Sequence, residues 1–461
     1  MNSTHCLNVA QLSQWFNVNR ARILEDFFTF LAFQSISTDR AYQKEIRRTA
    51  EWLESYLKSI GLEVVLWETP GHPVIFASHL QAGPSRPTLL IYNHYDVQPV
   101  DPLELWKSDP FKPEIRGDSV YARGASDNKG QCFYTITAIK AVLQMARSLN
   151  LNIKLFIEGE EEAGSNGTFH ILRQKKAELK ADHLLIVDAG MLDATTPAVT
   201  VGMRGLVTLE VECRNASIDL HSGIHGGIAL NPNRALAQLL ATLWDKEGRI
   251  AIAHFYDAVQ PISTEALSLL DLSFDLEQYK QTFGVKAFCP EKGYSLKESN
   301  WLRPSLEING ICGRYIGPGF KTVIPSKASA KLSCRLVSGQ DPDQVCAQIE
   351  RHLRLHVAQG VELKVKFHQM AKAFYTSSQC LIATIAASCC EEIFKKSCRF
   401  ILCGASVPIV VDLADVSEAD TIAIGLGLEG DDIHAPNEHF SLDRFERGFL
   451  MMGRILSNLA E

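Results

Sequence analysis

Helix-period and strand-like segments alternate through the first two hundred residues, and this alternation is what most restricts the folds open to the chain. Apolar residues recur at helical spacing over 20–32 and 43–60, and Gly61 closes the second segment. A strand-like run at 62–68 follows, then a short buried one at 88–92 (TLLIY) introduced by Pro87. Helical spacing returns at 129–149, followed by a strand at 153–157 (IKLFI), a helix at 167–179 and a strand at 184–187 (LLIV). Strands separated by helices of this length predict a mainly parallel sheet with helices on both faces.

After Gly205 the pattern changes. Residues 207–213 alternate as a half-exposed strand does, and Pro232 opens a helix reaching about residue 246. An irregular stretch over 250–300 precedes strands at 327–336 and 361–367, which bracket a helix at 343–357. Two helices over one strand-rich face predict a separate α+β unit. The α/β pattern resumes after residue 379, with a strand at 421–425 and a closing helix at 443–459. At 461 residues the chain exceeds the roughly 250–300 at which single cores stop growing. The predicted organisation is therefore one α/β domain, 1–204 with 377–461, interrupted by an inserted domain over 205–376.

Bulk properties remove several function classes. A formal net charge of −7 argues against a broad nucleic-acid-binding face. No apolar run approaches the roughly 18 residues of a membrane span. The first residues hold no leader of signal-peptide form, so a cytoplasmic location is the expectation. The 12 cysteines form no C-x-x-C pair or zinc-ribbon spacing and are expected to be buried reduced thiols.

The residues that carry chemistry sit just after strands, where open α/β sheets bind ligands. TLLIY leads into Asn93-His94-Tyr95-Asp96, an H-x-D unit that suits a metal-ligating imidazole oriented by a carboxylate. Gly124-Ala125-Ser126-Asp127-Asn128-Lys129-Gly130 is a tight turn entering the long helix, and it could equally be only a helix cap. The strand at 153–157 runs into Glu158-Gly159-Glu160-Glu161-Glu162-Ala163-Gly164-Ser165, which alone could be a solvated charge run. LLIV ends at Asp188, and the last strand leads to His434-Ala435-Pro436-Asn437-Glu438. If these ends converge, Asp96, Asp127, Glu161, Glu162 and Asp188 crowd one cleft, and like charges that close need compensating cations. Several carboxylates with two histidines suit a pair of divalent ions about 3.5–4 Å apart, zinc first and manganese as the alternative.

In that order and spacing the motifs resemble the two-metal peptidase superfamily of carnosinase-type dipeptidases, carboxypeptidase G, and acetylornithine and succinyl-diaminopimelate deacylases. The resemblance covers nearly the whole chain. It implies an α/β catalytic domain with an inserted α+β lid and dimerisation domain. It also implies that Asp127 bridges two metals, that His94 and Asp188 complete one site, and that Glu162 and His434 complete the other. Asp96 would orient His94, a cis peptide would follow Asp127, and Glu161 would be the general base acting on a metal-bridging water. The carnosinase-like branch is the nearest. Its lid motif is matched by Asp219-Leu220-His221-Ser222-Gly223, whose histidine would stabilise the oxyanion in the partner subunit's site. Arg335 would hold the substrate carboxylate, and Thr322 and Ser406 would add polar contacts. Ala405, Ser305 and Arg314 depart from that branch, which bears on substrate preference.

The resemblance thus implies hydrolysis of dipeptides or other short peptides by a homodimer that pairs through the lid. An N-acyl-amino-acid deacylase on the same scaffold is the near alternative. A non-catalytic peptide-binding protein is the distant one, and the intact ligand set and Glu161 speak against it.

Overall fold

The computed structural model describes all residues except 1–6, 147, 314 and 405–407. The chain divides into two compact units. One comprises 1–201, 376–401 and 409–461; the other comprises 202–375 with 402–408.

The sheet of the first unit runs, from its edge inward, Glu63–Trp67, Val74–His79, Asn152–Glu158, Thr88–His94, His183–Val187, Asp420–Ile424, Ala198–Met203. The middle four pair in parallel. The outer strands pair antiparallel. Every residue of Asn152–Glu158 and of His183–Val187 is buried, as expected of central parallel strands covered on both faces. The chemistry-bearing ends His94, Glu158 and Val187 follow from this register: parallel neighbours terminate on the same side of the sheet.

Helix Lys129–Met145 is buried nearly all round because it lies under Val9–Leu31 and Leu442–Leu459. Stacked and tilted rings of Phe16, Phe27, Phe133, Phe445 and Phe449 fill the space between these helices. Gly448 permits the close approach, since a Cβ there would meet the Tyr134 ring at 2.6 Å.

Several elements differ from expectation. The first helix begins at Val9 rather than residue 20, because Leu12 and Phe16 already bury on its inner face and Asn8 caps it through a reciprocal pair with Gln11. The segment 167–179 is two short helices, Asn166–Leu172 and Lys176–Leu179. Helix Lys129–Met145 stops short of residue 149. Strands Val74–His79 and Ala198–Met203 were not anticipated, nor was helix Leu381–Phe394.

The second unit is built on a four-stranded antiparallel sheet, ordered Ser305–Cys312, Lys327–Leu336, Gly205–Arg214, Glu362–Ala371. Buried and more open residues alternate along Gly205–Arg214 and Lys327–Leu336. Val207, Leu209, Val211, Leu332 and Leu336 pack into one core with residues of helices Pro232–Ala241 and Pro342–His356. Both helices open with proline after a capping side chain, Asn231 and Asp341. The first ends at Ala241, shorter than expected, and 250–300 holds three short helices, Thr264–Leu269, Leu276–Phe283 and Leu296–Trp301.

Candidate metal centre

Strand Thr88–His94 delivers His94, fully buried, to the carboxyl end of the sheet. Its Nδ1 lies 3.1 Å from the Asp96 carbonyl oxygen and 3.4 Å from Asp96 Oδ1. With Nδ1 donating to that carbonyl, the Nε2 lone pair faces Asp127 Oδ1 at 3.1 Å and Asp188 Oδ1 at 3.7 Å. A lone pair aimed at two carboxylate oxygens is repulsive unless a proton or a metal cation lies between them. Asp188 follows the neighbouring strand, and Asp127 ends the turn before the long helix, with a cis peptide to Asn128.

On the other side of Asp127, His434 Nε2 lies 2.9 Å from Oδ2 and 3.2 Å from Glu162 Oε1. Gln98 Nε2 donates to Glu162 Oε2 at 2.6 Å. Glu162 Oε1 is buried and makes no hydrogen bond. Leaving such an acceptor unpaired costs about 1–3 kcal/mol, which a cation at this point would offset. Glu161 sits on the same short turn. The Asp96 carboxylate accepts from the backbone N–H of Glu161 at 3.2 Å and of Glu162 at 3.0 Å, so it aims the whole turn.

The electrostatics agree with the geometry. Burial alone would raise the Asp127 carboxyl, but the His434 and His94 rings hold it well below the usual range. The carboxylates of Asp127, then of Glu162, close to its Nε2, push His434 up to about 10. Burial works against the charged form of His94, yet Asp188 and Asp127 hold it well above its ordinary value. Burial raises Glu161 strongly, and the charges of Asp188, Glu162 and Asp127 add to this beyond what His94 relieves.

Among the described residues, two groups could hold a metal ion: His94 with Asp127 and Asp188, and Asp127 with Glu162 and His434. Within each, the donor atoms lie within 4.8 Å of one another. Imidazole with carboxylate donors and no thiolate fits zinc or manganese. The structure thus gathers His94, Asp96, Asp127, Glu161, Glu162, Asp188 and His434 in the first unit. Asn93, Gln98, Asn128 and Glu438 join them. Their position beside or within the same motifs was the available signal for these four.

The remaining expected site residues lie in the second unit. His221 pairs with Val323 in a two-stranded ribbon, and Ser222 N–H donates to Thr322 O at 3.0 Å, which brings His221 and Thr322 together. His221 Nδ1 accepts from Gly223 N–H at 3.0 Å, so the exposed ring's proton is on Nε2. Arg335 lies on Lys327–Leu336 opposite Ser305, where burial lowers its guanidinium. Ser406, with Ala405, lies outside the described residues.

Comparison with known proteins places these residues in context. The model of Peptidase family M20/M25/M40 matches residues 90–458. The Beta-Ala-His dipeptidase of Rattus norvegicus is 31% identical over 404 residues, 85% of this chain and 81% of that one. The Cys-Gly metallodipeptidase dug1 of Schizosaccharomyces pombe is 27% identical over 447 residues, 93% of this chain and 94% of its own. Among solved structures, an M20 family metallo-carboxypeptidase from Sulfolobus solfataricus superposes with a TM-score of 0.84 at 31% identity, covering 95% of this chain and 99% of that one.

Proposed function

The chain belongs to peptidase family M20/M25/M40, and from that premise we propose that it is a metal-dependent dipeptidase whose general base is Glu161. The observation that carries this reading is the pair of three-residue groups sharing Asp127, with Glu161 on the turn that supplies Glu162. His94, Asp127 and Asp188 would hold one divalent ion, and Asp127, Glu162 and His434 the other. When bound, such ions polarise the scissile carbonyl and lower the pKa of the attacking water.

The chain's own residues supply the rest. Glu161 takes the proton from the attacking water and passes it to the leaving amine. Its buried position makes it a stronger base than a solvated carboxylate and an effective acid once protonated. Asp96 keeps that carboxyl in place through the backbone of the turn. His221 presents Nε2–H as a donor suited to a developing oxyanion. Arg335 offers a planar fork to the free carboxylate of the substrate, with Thr322 and Ser406 as further polar contacts. The relatives, a Beta-Ala-His dipeptidase and a Cys-Gly metallodipeptidase, support a dipeptide as substrate. The donor set favours zinc and also accepts manganese.

We also propose a homodimer formed through the second unit. Strand Ser305–Cys312 is an edge of its sheet, with Ile308 and Ile311 exposed. An edge strand with apolar exposed side chains is a ready pairing surface for a second copy.

The test is hydrolysis of a matched panel by metal-reconstituted protein: free dipeptides, their C-terminal amides, longer peptides and N-acyl amino acids. Cleavage of free dipeptides with their amides spared supports the assignment and Arg335 as carboxylate anchor. Cleavage of N-acyl amino acids alone would move the protein to deacylation. Silence across the panel with two metals bound would refute catalysis.

A further inference from the structure

The two sides of the candidate metal centre rest on different parts of the fold. His94 ends one of two neighbouring parallel strands and Asp188 follows the other, and Asn128 ties those strands together. Its Nδ2 donates to Val187 O and Asp188 Oδ1, both at 2.8 Å, and its Oδ1 accepts from Asn93 Nδ2 at 2.8 Å. These contacts need nothing from residues 429–438.

His434 stands differently. Its backbone is left-handed, with φ 61°, and its side chain is half exposed. No strand holds it. Two buried carboxylates flank it, Asp431 before and Glu438 after, and both reach the turn that carries Asp127. Glu438 Oε1 accepts from Ser126 N–H and Asp127 N–H, each at 3.0 Å. Its Oε2 accepts from Gly124 N–H at 2.8 Å and from Arg123 Nη1 at 2.8 Å, which balances its charge. Asp431 Oδ2 accepts from Ser126 Oγ at 3.0 Å and from Leu428 N–H at 2.9 Å, and Arg444 pairs with both of its oxygens. Ser126 is therefore grasped twice, by its N–H from Glu438 and by its hydroxyl from Asp431.

We infer that Asp431 and Glu438 are positioning residues, a clamp that sets His434 against Asp127, so that its loss weakens the Glu162–His434 side of the centre more than the His94–Asp188 side, where Asn128 still holds the turn and both strands. This rests on the reading of these residues as a metal centre. The donors fill the four acceptor positions of the Glu438 carboxylate, so no neutral isostere replaces it. A glutamine would turn an NH₂ group toward either Gly124 N–H and Arg123 or the two N–H groups of Ser126 and Asp127. Ser126→Ala removes the Asp431 contact alone and adds no volume.

The experiment is zinc titration of chelator-stripped protein against a chromophoric chelator, resolving each equivalent, with thermal melting of the stripped protein as a check on folding. His434→Ala and His94→Ala mark which equivalent belongs to which side. Ser126→Ala and Glu438→Gln are expected to weaken by about 10–100-fold the equivalent that His434→Ala removes, and the His94 equivalent by clearly less, as for groups that orient metal ligands. If Glu438→Gln does not fold, Ser126→Ala decides. Equal weakening of both equivalents, or weakening of neither in a folded variant, overturns the clamp. A wild-type protein that binds two zinc ions but hydrolyses no dipeptide would refute the peptidase reading and leave the clamp standing.

Discussion

Glu158 and Glu161 lie three residues apart on one strand end and its turn, and their surroundings give them different work. Glu161 borders the metal-holding groups, so Glu161→Gln should retain both metals and lose about 10²–10⁴-fold in kcat. Parallel metal analysis and steady-state kinetics would check this, and turnover near wild type would remove Glu161 as the base. Glu158 is fully buried, takes a 2.6 Å hydrogen bond from Tyr92 Oη on one oxygen, and leaves Oε2 without a partner. Burial pushes its carboxyl from 4.5 up to about 7. The folded chain then holds a proton that the unfolded chain releases between those values. Its contribution to stability is full below pH 4.5 and is lost as pH rises through about 7. Glu158→Gln cannot ionise, so melting of the metal-free proteins should show the variant gaining on wild type between pH 5 and pH 8. A constant difference would mean that Glu158 titrates alike in both states. Most groups that would bind metal were legible because His94, Glu162 and Asp188 stand at or just after a strand end and Asp127 opens a helix, whereas His434 was legible only through the motif around it. Apart from Asp96, their supports were not: Glu438 reaches Gly124 across 314 positions, and such a hydrogen bond leaves no periodic trace.

Between elements, burial on all sides hides what sequence periodicity can otherwise reveal. The central strands and the helix Lys129–Met145 were visible as apolar runs. Val74–His79 and Ala198–Met203 were not, because a short apolar run without alternation reads as either strand or helix. The start of the first helix was missed because its apolar spacing near Leu12 and Phe16 is sparse, and only packing on Phe445 and Phe449 makes it decisive. Leu442–Leu459 was well placed from its strong one-sided pattern. Its contact with Lys129–Met145 depends on Gly448, where a Cβ would lie 2.6 Å from the Tyr134 ring. Gly448→Ala should therefore destabilise the protein by about 1–3 kcal/mol through overpacking, outweighing the helix propensity it gains. A denaturant midpoint equal to or above wild type would show that Tyr134 can move aside.

For the whole molecule, the proposed dimer makes the exposed edge of the second unit its most testable surface. Ile308→Lys with Ile311→Lys should convert the dimer to a monomer by light scattering, with little change in melting of the monomeric fold because both side chains are exposed. A dimer unaffected by both charges would place the interface elsewhere. Helix Val9–Leu31 and helix Leu442–Leu459 pack together across nearly the full length of the chain, and the unit they close is assembled from three separate stretches. That arrangement fixes a timetable during synthesis. The sheet of the inserted unit, Gly205 to Ala371, can complete while the ribosome is still working, whereas the earlier half-sheet waits for Asp420–Ile424 and the last helix. Until then Phe16, Phe27 and Phe133 have no Phe445 or Phe449 to cover them. A chain released early would carry a finished insert beside an open aromatic face, the kind of surface that chaperones hold and proteases remove.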